Sequence, residues 1–110
     1  MIIAVAGPYS APTSEARSKN LAALNKAAAQ LLAMGHTPVV GINAALPVIE
    51  QAAPDADRYR AIMDISMAVI SGCDAVLLIG ESPGANRERD YFLERGMPVF
   101  RAMNEVSRTF

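Results

Sequence analysis

Tryptophan is absent from the sequence, cysteine and histidine occur once each, and tyrosine and phenylalanine three times each. The lone Cys73 can close no internal disulfide, and without further thiols or a histidine cluster no metal site is expected. Cys73 reads as a packing residue, the common fate of a free cysteine. An excess of one charge is lacking too: ten Lys and Arg against eleven Asp and Glu leave a formal charge of −1. That balance argues against a nucleic-acid polymer as partner, because phosphate-backbone binding needs a basic footprint. No stretch approaches the roughly 20 apolar residues of a membrane helix. The amino terminus enters a strand-like run with neither a basic leader nor a long apolar segment, so no membrane association and a cytoplasmic location are expected.

What the sequence does have is short apolar runs alternating with helical periodicity. Its 110 residues suit a single domain over 1–110, since domains most often hold about 100–150 residues. Ile2-Ile3-Ala4-Val5-Ala6 is apolar and ends at Gly7-Pro8, which predicts a buried strand and a turn. Thr13 or Ser14 can cap a helix whose Leu21, Leu24, Ala28, Leu31 and Leu32 recur at helical spacing as far as Gly35. His36 to Val40 predicts a second strand, placed at an edge by Pro38. Residues 41 to 56, with Pro47 and Pro54, predict a loop over a site with a short helical turn near Val48 to Gln51. A helix is predicted from Asp57 to Ile70, then a strand over Asp74 to Ile79 whose unbroken apolar run implies cover on both faces. Ser82 caps a last helix with Pro83 at its first position, Gly96 stops it, and Pro98-Val99-Phe100 begins a final strand.

This alternation predicts an α/β fold, a flavodoxin- or Rossmann-like three-layer sandwich on a parallel sheet of four or five strands in the order 2-1-3-4. Ligands of such sheets bind beyond the carboxyl ends of the strands at the switch point, here between the first and third strands. Two loops meet there. In the first, Gly7, Tyr9 and Ser10 can contribute a close backbone approach and two hydroxyls, and Arg17 follows to meet an anion. In the second, Ser82 and Gly84 open a helix whose free N–H groups favour an anion, although Ser82 would serve equally as a plain cap. Glu88 stands three residues after Ala85 and four before Phe92, on the stripe that faces the domain, unless it turns out to meet Arg87 or Arg89. Asp64 is a second acid on a largely apolar helix, with a solvated flank as the alternative. His36 follows a helix end, where a cation is favoured, and gives little sign of catalysis.

Taken together, Ala6-Gly7-Pro8-Tyr9-Ser10, Asp64, Asp74 and Ser82-Pro83-Gly84-Ala85-Asn86-Arg87-Glu88 resemble the nucleoside 2-deoxyribosyltransferase superfamily over most of the chain. Among its branches the chain is similar to short members and to the 2′-deoxynucleoside 5′-phosphate N-hydrolases, which share the Asp64-to-Glu88 separation. The resemblance implies cleavage or transfer at the N-glycosidic bond of a nucleoside or its 5′-monophosphate, without a cofactor. It gives Glu88 the role of nucleophile and Asp64 that of acid beside the base. Gly7, Tyr9, Ser10, Arg17, Ser82, Gly84 and Arg87 would hold the substrate. A homo-oligomer is also implied, consistent with the apolar helix Ile62 to Ile70. One position departs from the pattern: Ala4 stands where many members carry a tyrosine that positions the nucleophile. A non-catalytic nucleotide-binding module of the same fold is therefore the alternative expectation.

Overall fold

The computed structural model describes residues 1–109. Its sheet has four parallel strands, β1 (Ile2–Ala6), β2 (Thr37–Val39), β3 (Ala75–Leu78) and β4 (Val99–Phe100), in the order β2-β1-β3-β4. The helices are α1 (Ser14–Ala33), α2 (Gly41–Gln51), α3 (Arg58–Ile70) and α4 (Pro83–Glu94), followed by a single 3₁₀ turn at Met103–Glu105. This is the flavodoxin- or Rossmann-like α/β sandwich that the alternation of strands and helices predicts.

Strand pleating divides the core in two, because successive side chains point to opposite faces. Ile3, Val5, Ala75 and Leu77 pack with Leu24, Ala27 and Leu31 of α1, whereas Ala4, Ala6, Val76 and Leu78 pack with Ile70 at the end of α3 and with Ala85 and Phe92 of α4. Both central strands are thus covered on both sides, which accounts for their lack of polar alternation. Pro38 lies in β2 at the sheet edge, where its missing N–H leaves no neighbour unpaired.

Side-chain caps set the helix starts. Thr13, Asp57 and Ser82 each accept a hydrogen bond at 3.1 Å, from the N–H groups of Ala16, Arg60 and Ala85 respectively. Gly35 and Gly96, at φ 91° and 66°, take the left-handed turn that ends α1 and α4. His36 is buried between chain segments: the Met1 ammonium donates to Nδ1 at 3.1 Å, so the other nitrogen carries the proton and Nε2 donates to the Ser107 carbonyl at 2.6 Å. It ties the first strand to the last residues, and no cavity residue shares in that arrangement.

The segment 41 to 56 corrects the sequence expectation. Most of it is helix α2, with Pro47 inside. An interior proline costs a helix about 3 kcal/mol. Ile42, Ala45 and Ile49 are buried on one stripe of α2, and burying an isoleucine returns roughly 1.5–3 kcal/mol each. Tertiary packing against α3 therefore outweighs the local signal. The packing is close: a Cβ placed on Gly41 would lie 3.0 Å from Cα, Cβ and the carbonyl oxygen of Ser66.

Candidate functional site

A cavity of about 460 Å³ opens at the carboxyl ends of β1 and β3, at the switch point of the sheet. The loop after β1 supplies Gly7, Tyr9 and Ser10 to its wall, and α1 adds Arg17. The start of α4 supplies Ser82, Gly84 and Glu88. Of the nine site residues expected from the sequence, these seven are brought together. Tyr9 packs partly against the core, and its carbonyl accepts from Asn20 Nδ2 at 2.9 Å, which fixes the loop over the cavity.

Two expected residues lie elsewhere. Asp64 does not reach the cavity: its side chain is 73% exposed and pairs with Arg60 at 3.9 Å, one helical turn away. Helical phase is the cause, since Met63 and Ser66 point inward and a residue between them, 100° on from Met63, points to solvent. Arg87 is likewise turned out of the cavity and borders a shallow groove on the far side of α4. Ala4, the position that departs from the resembled pattern, is fully buried with Ile70 and Phe92.

Glu88 dominates the electrostatics. Burial raises its carboxyl from 4.5 to about 7, as expected when a charged form loses water without gaining a partner. Among the described residues it makes no hydrogen bond or ion pair. The neighbouring arginines Arg87 and Arg89 do not neutralise it: Arg89 is committed to Glu81 at 3.2 Å and to Asp90 at 2.9 Å. Cys73 is pushed the same way, first by burial and then by Asp74 and Glu88, so its thiol stays protonated and inert.

Arg17 donates to the Ala11 carbonyl at 2.9 Å, a bond that leaves its charge uncompensated. Arg58, at the start of α3, also lines the cavity and donates to the Ile49 carbonyl at 3.4 Å. Neither arginine is paired with a carboxylate among the described residues. The site therefore combines one desolvated acid, two cations with free charge, and a helix start with the half-buried Gly84 in its first turn.

The sequence reading missed Arg58, Tyr59 and Ser66, all of which line the cavity. The signal for Tyr59 and Ser66 lies in helical phase: with Ile62 and Met63 they form one stripe of α3, and the apolar Ile65 and Val69 lie to one side of it. Among the described residues no cluster of three or more His, Cys, Asp or Glu could hold a metal ion, and no helix is long and apolar enough to cross a membrane.

Residues 1–101 match the family model described as Domain of unknown function (DUF4406), which covers nearly all of the sequence. The chain belongs to that family. Among curated proteins, none matches it.

Proposed function

We propose that this member of the DUF4406 family cleaves or exchanges the N-glycosidic bond of a nucleoside 5′-monophosphate or nucleoside, with Glu88 as the nucleophile. The observation that carries the reading is the Glu88 carboxyl, desolvated, without a partner and facing a cavity at the switch point of the sheet. In the reaction a carboxylate oxygen of Glu88 bonds to C1′ as the C1′–N bond breaks, and its electron pair leaves with the base. The departing base takes its proton from water, since the Asp64 carboxyl is held outside the cavity by its place on α3. Water then attacks C1′ of the glycosyl ester, releasing the sugar and restoring Glu88; a second base in place of water gives transfer.

Two features support a phosphate at one end of the substrate. The first turn of α4 leaves the Gly84 N–H open, since Pro83 has none and Ser82 takes those of Ala85 and Asn86, and Arg17 and Arg58 face the cavity with their charge unopposed. Tyr9, Ser10 and Ser82 are then the polar contacts that orient the sugar and phosphate. We also infer a homo-oligomer in the cytoplasm, with Tyr59 at the cavity rim and Val69 on α3 as exposed apolar positions for a second copy to cover.

The test is release of free base from a panel of nucleosides, 2′-deoxynucleosides and their 5′-monophosphates, with Glu88→Gln as the control. Base release that the variant loses supports the reading. Binding without release from any compound rejects it in favour of the non-catalytic module, which Asp64 outside the cavity and alanine at position 4 would suit.

A further inference from the structure

We infer that Ser66 reads a hydroxyl of the substrate's sugar ring, as a second polar anchor beside Glu88; this rests on the N-glycosidic reading above. Ser66 is only 2% exposed, yet its side chain makes no hydrogen bond among the described residues, and it lines the cavity. The buried side-chain atom left without a partner among the described residues is Asn86 Oδ1, not the Ser66 hydroxyl, which keeps contact with the cavity; a polar group of a ligand can there take the place of the water it meets. The serine that a helix interior commonly turns back on its own backbone carbonyl is here left open toward the site.

Packing places Ser66 and Glu88 at one level. Met63 Sδ lies 3.1 Å from where a Cβ of Gly84 would stand, and further along the same two helices Tyr91 donates from its hydroxyl to the Ser71 carbonyl at 3.1 Å. Contacts in the same order along both helices mean that α3 and α4 run side by side in parallel. Ser66 is one turn past Met63 and Glu88 one turn past Gly84, so both project from beneath the Met63–Gly84 contact into the same space. The surroundings are apolar, with Leu24, Val40 and Ile42 among the lining side chains. A hydroxyl and a carboxyl set against these apolar side chains, apart from the cavity's arginines, suit a ring that carries neighbouring polar atoms. A neutral serine hydroxyl, donor and acceptor at once, matches another hydroxyl. If Glu88 addresses C1′, the hydroxyls within reach are those on the adjoining sugar carbons.

The experiment uses a Glu88→Gln parent, which blocks turnover, and titrates it by calorimetry with AMP, GMP, CMP and UMP and with their 2′-deoxy and 3′-deoxy analogues. The parent is expected to bind the form carrying the recognised hydroxyl roughly tenfold more tightly than the analogue lacking it. Adding Ser66→Ala, or the nearly isosteric Ser66→Cys, should bring that ratio to within about twofold of unity, with a melting temperature equal to the parent's or higher. Discrimination that survives both substitutions, or a parent indifferent to both deoxy forms, overturns the assignment of Ser66 and leaves the N-glycosidic reading standing. A parent that binds neither these nucleotides nor the corresponding nucleosides, titrated in the same way, overturns both.

Discussion

Glu88 is buried enough to hold its proton near neutrality and open enough to meet a ligand, and these two conditions set its pH behaviour. As a nucleophile it must be ionised, so base release should rise with pH and level off above about 7, the value to which burial lifts its carboxyl. A pH–rate profile flat from 5 to 8 would separate activity from Glu88. The two arginines make a different prediction. Arg17→Ala or Arg58→Ala should weaken binding of a 5′-monophosphate by roughly 1–3 kcal/mol while leaving the parent nucleoside nearly unaffected, because only the phosphate meets their charge. Titration of both ligands against each variant measures that difference, and equal losses for the two would place the arginines in the framework of the fold instead.

At the scale of elements, two glycines distinguish packing from access. A Cβ on Gly41 meets backbone of Ser66 at 3.0 Å, which cannot turn aside. Gly41→Ala should force α2 off α3 and cost about 1–3 kcal/mol, a fall of roughly 4–8 °C in melting temperature per kcal/mol for a domain of this size. The nearest atom to a Cβ on Gly84 is the Met63 sulfur, on a side chain that can move. Gly84→Ala should melt within about 1 kcal/mol of the wild type and lose affinity for ligand, because its methyl enters the wall of the cavity. Thermal melting and ligand titration of the two variants check the contrast. The elements themselves were largely legible in the sequence, since β1 and β3 are continuous apolar runs and Thr13, Asp57 and Ser82 announce their helices. Helix α2 was not, because Pro47 and the capless start at Gly41 are local signals that α3 overrides through burial of Ile42, Ala45 and Ile49. On α4 the side chains that line the cavity follow from the helical phase that Ser82 and Pro83 fix, whereas on α3 the cap residue Asp57 does not line the cavity and leaves its face unmarked. There Asp64 drew attention as an acid, while the cavity face passes through Tyr59, Met63 and Ser66.

At the scale of the whole molecule, the strained carboxyl should be visible in stability. The folded chain holds a proton on Glu88 up to about pH 7, and the unfolded chain releases it near its ordinary value of 4.5. Between those values the folded state binds more protons, so stability falls as pH rises through this window, and the loss is complete above about 7. The penalty is at most about 3 kcal/mol. Glu88→Gln should therefore flatten this part of the pH–stability curve and melt higher than the wild type at pH 8; a wild-type curve that rises from pH 5 to 7 would contradict the assigned burial. The same residue thus lowers stability and supplies reactivity, a trade familiar at working sites. One measurement tests Glu88 as the nucleophile most directly: free base released from a panel of nucleosides and nucleoside 5′-monophosphates at pH 8, by wild type and by Glu88→Gln. The prediction is release by the wild type and a loss of roughly a thousandfold or more in the variant. Undiminished release by the variant, or binding by the wild type with no release from any compound, contradicts it.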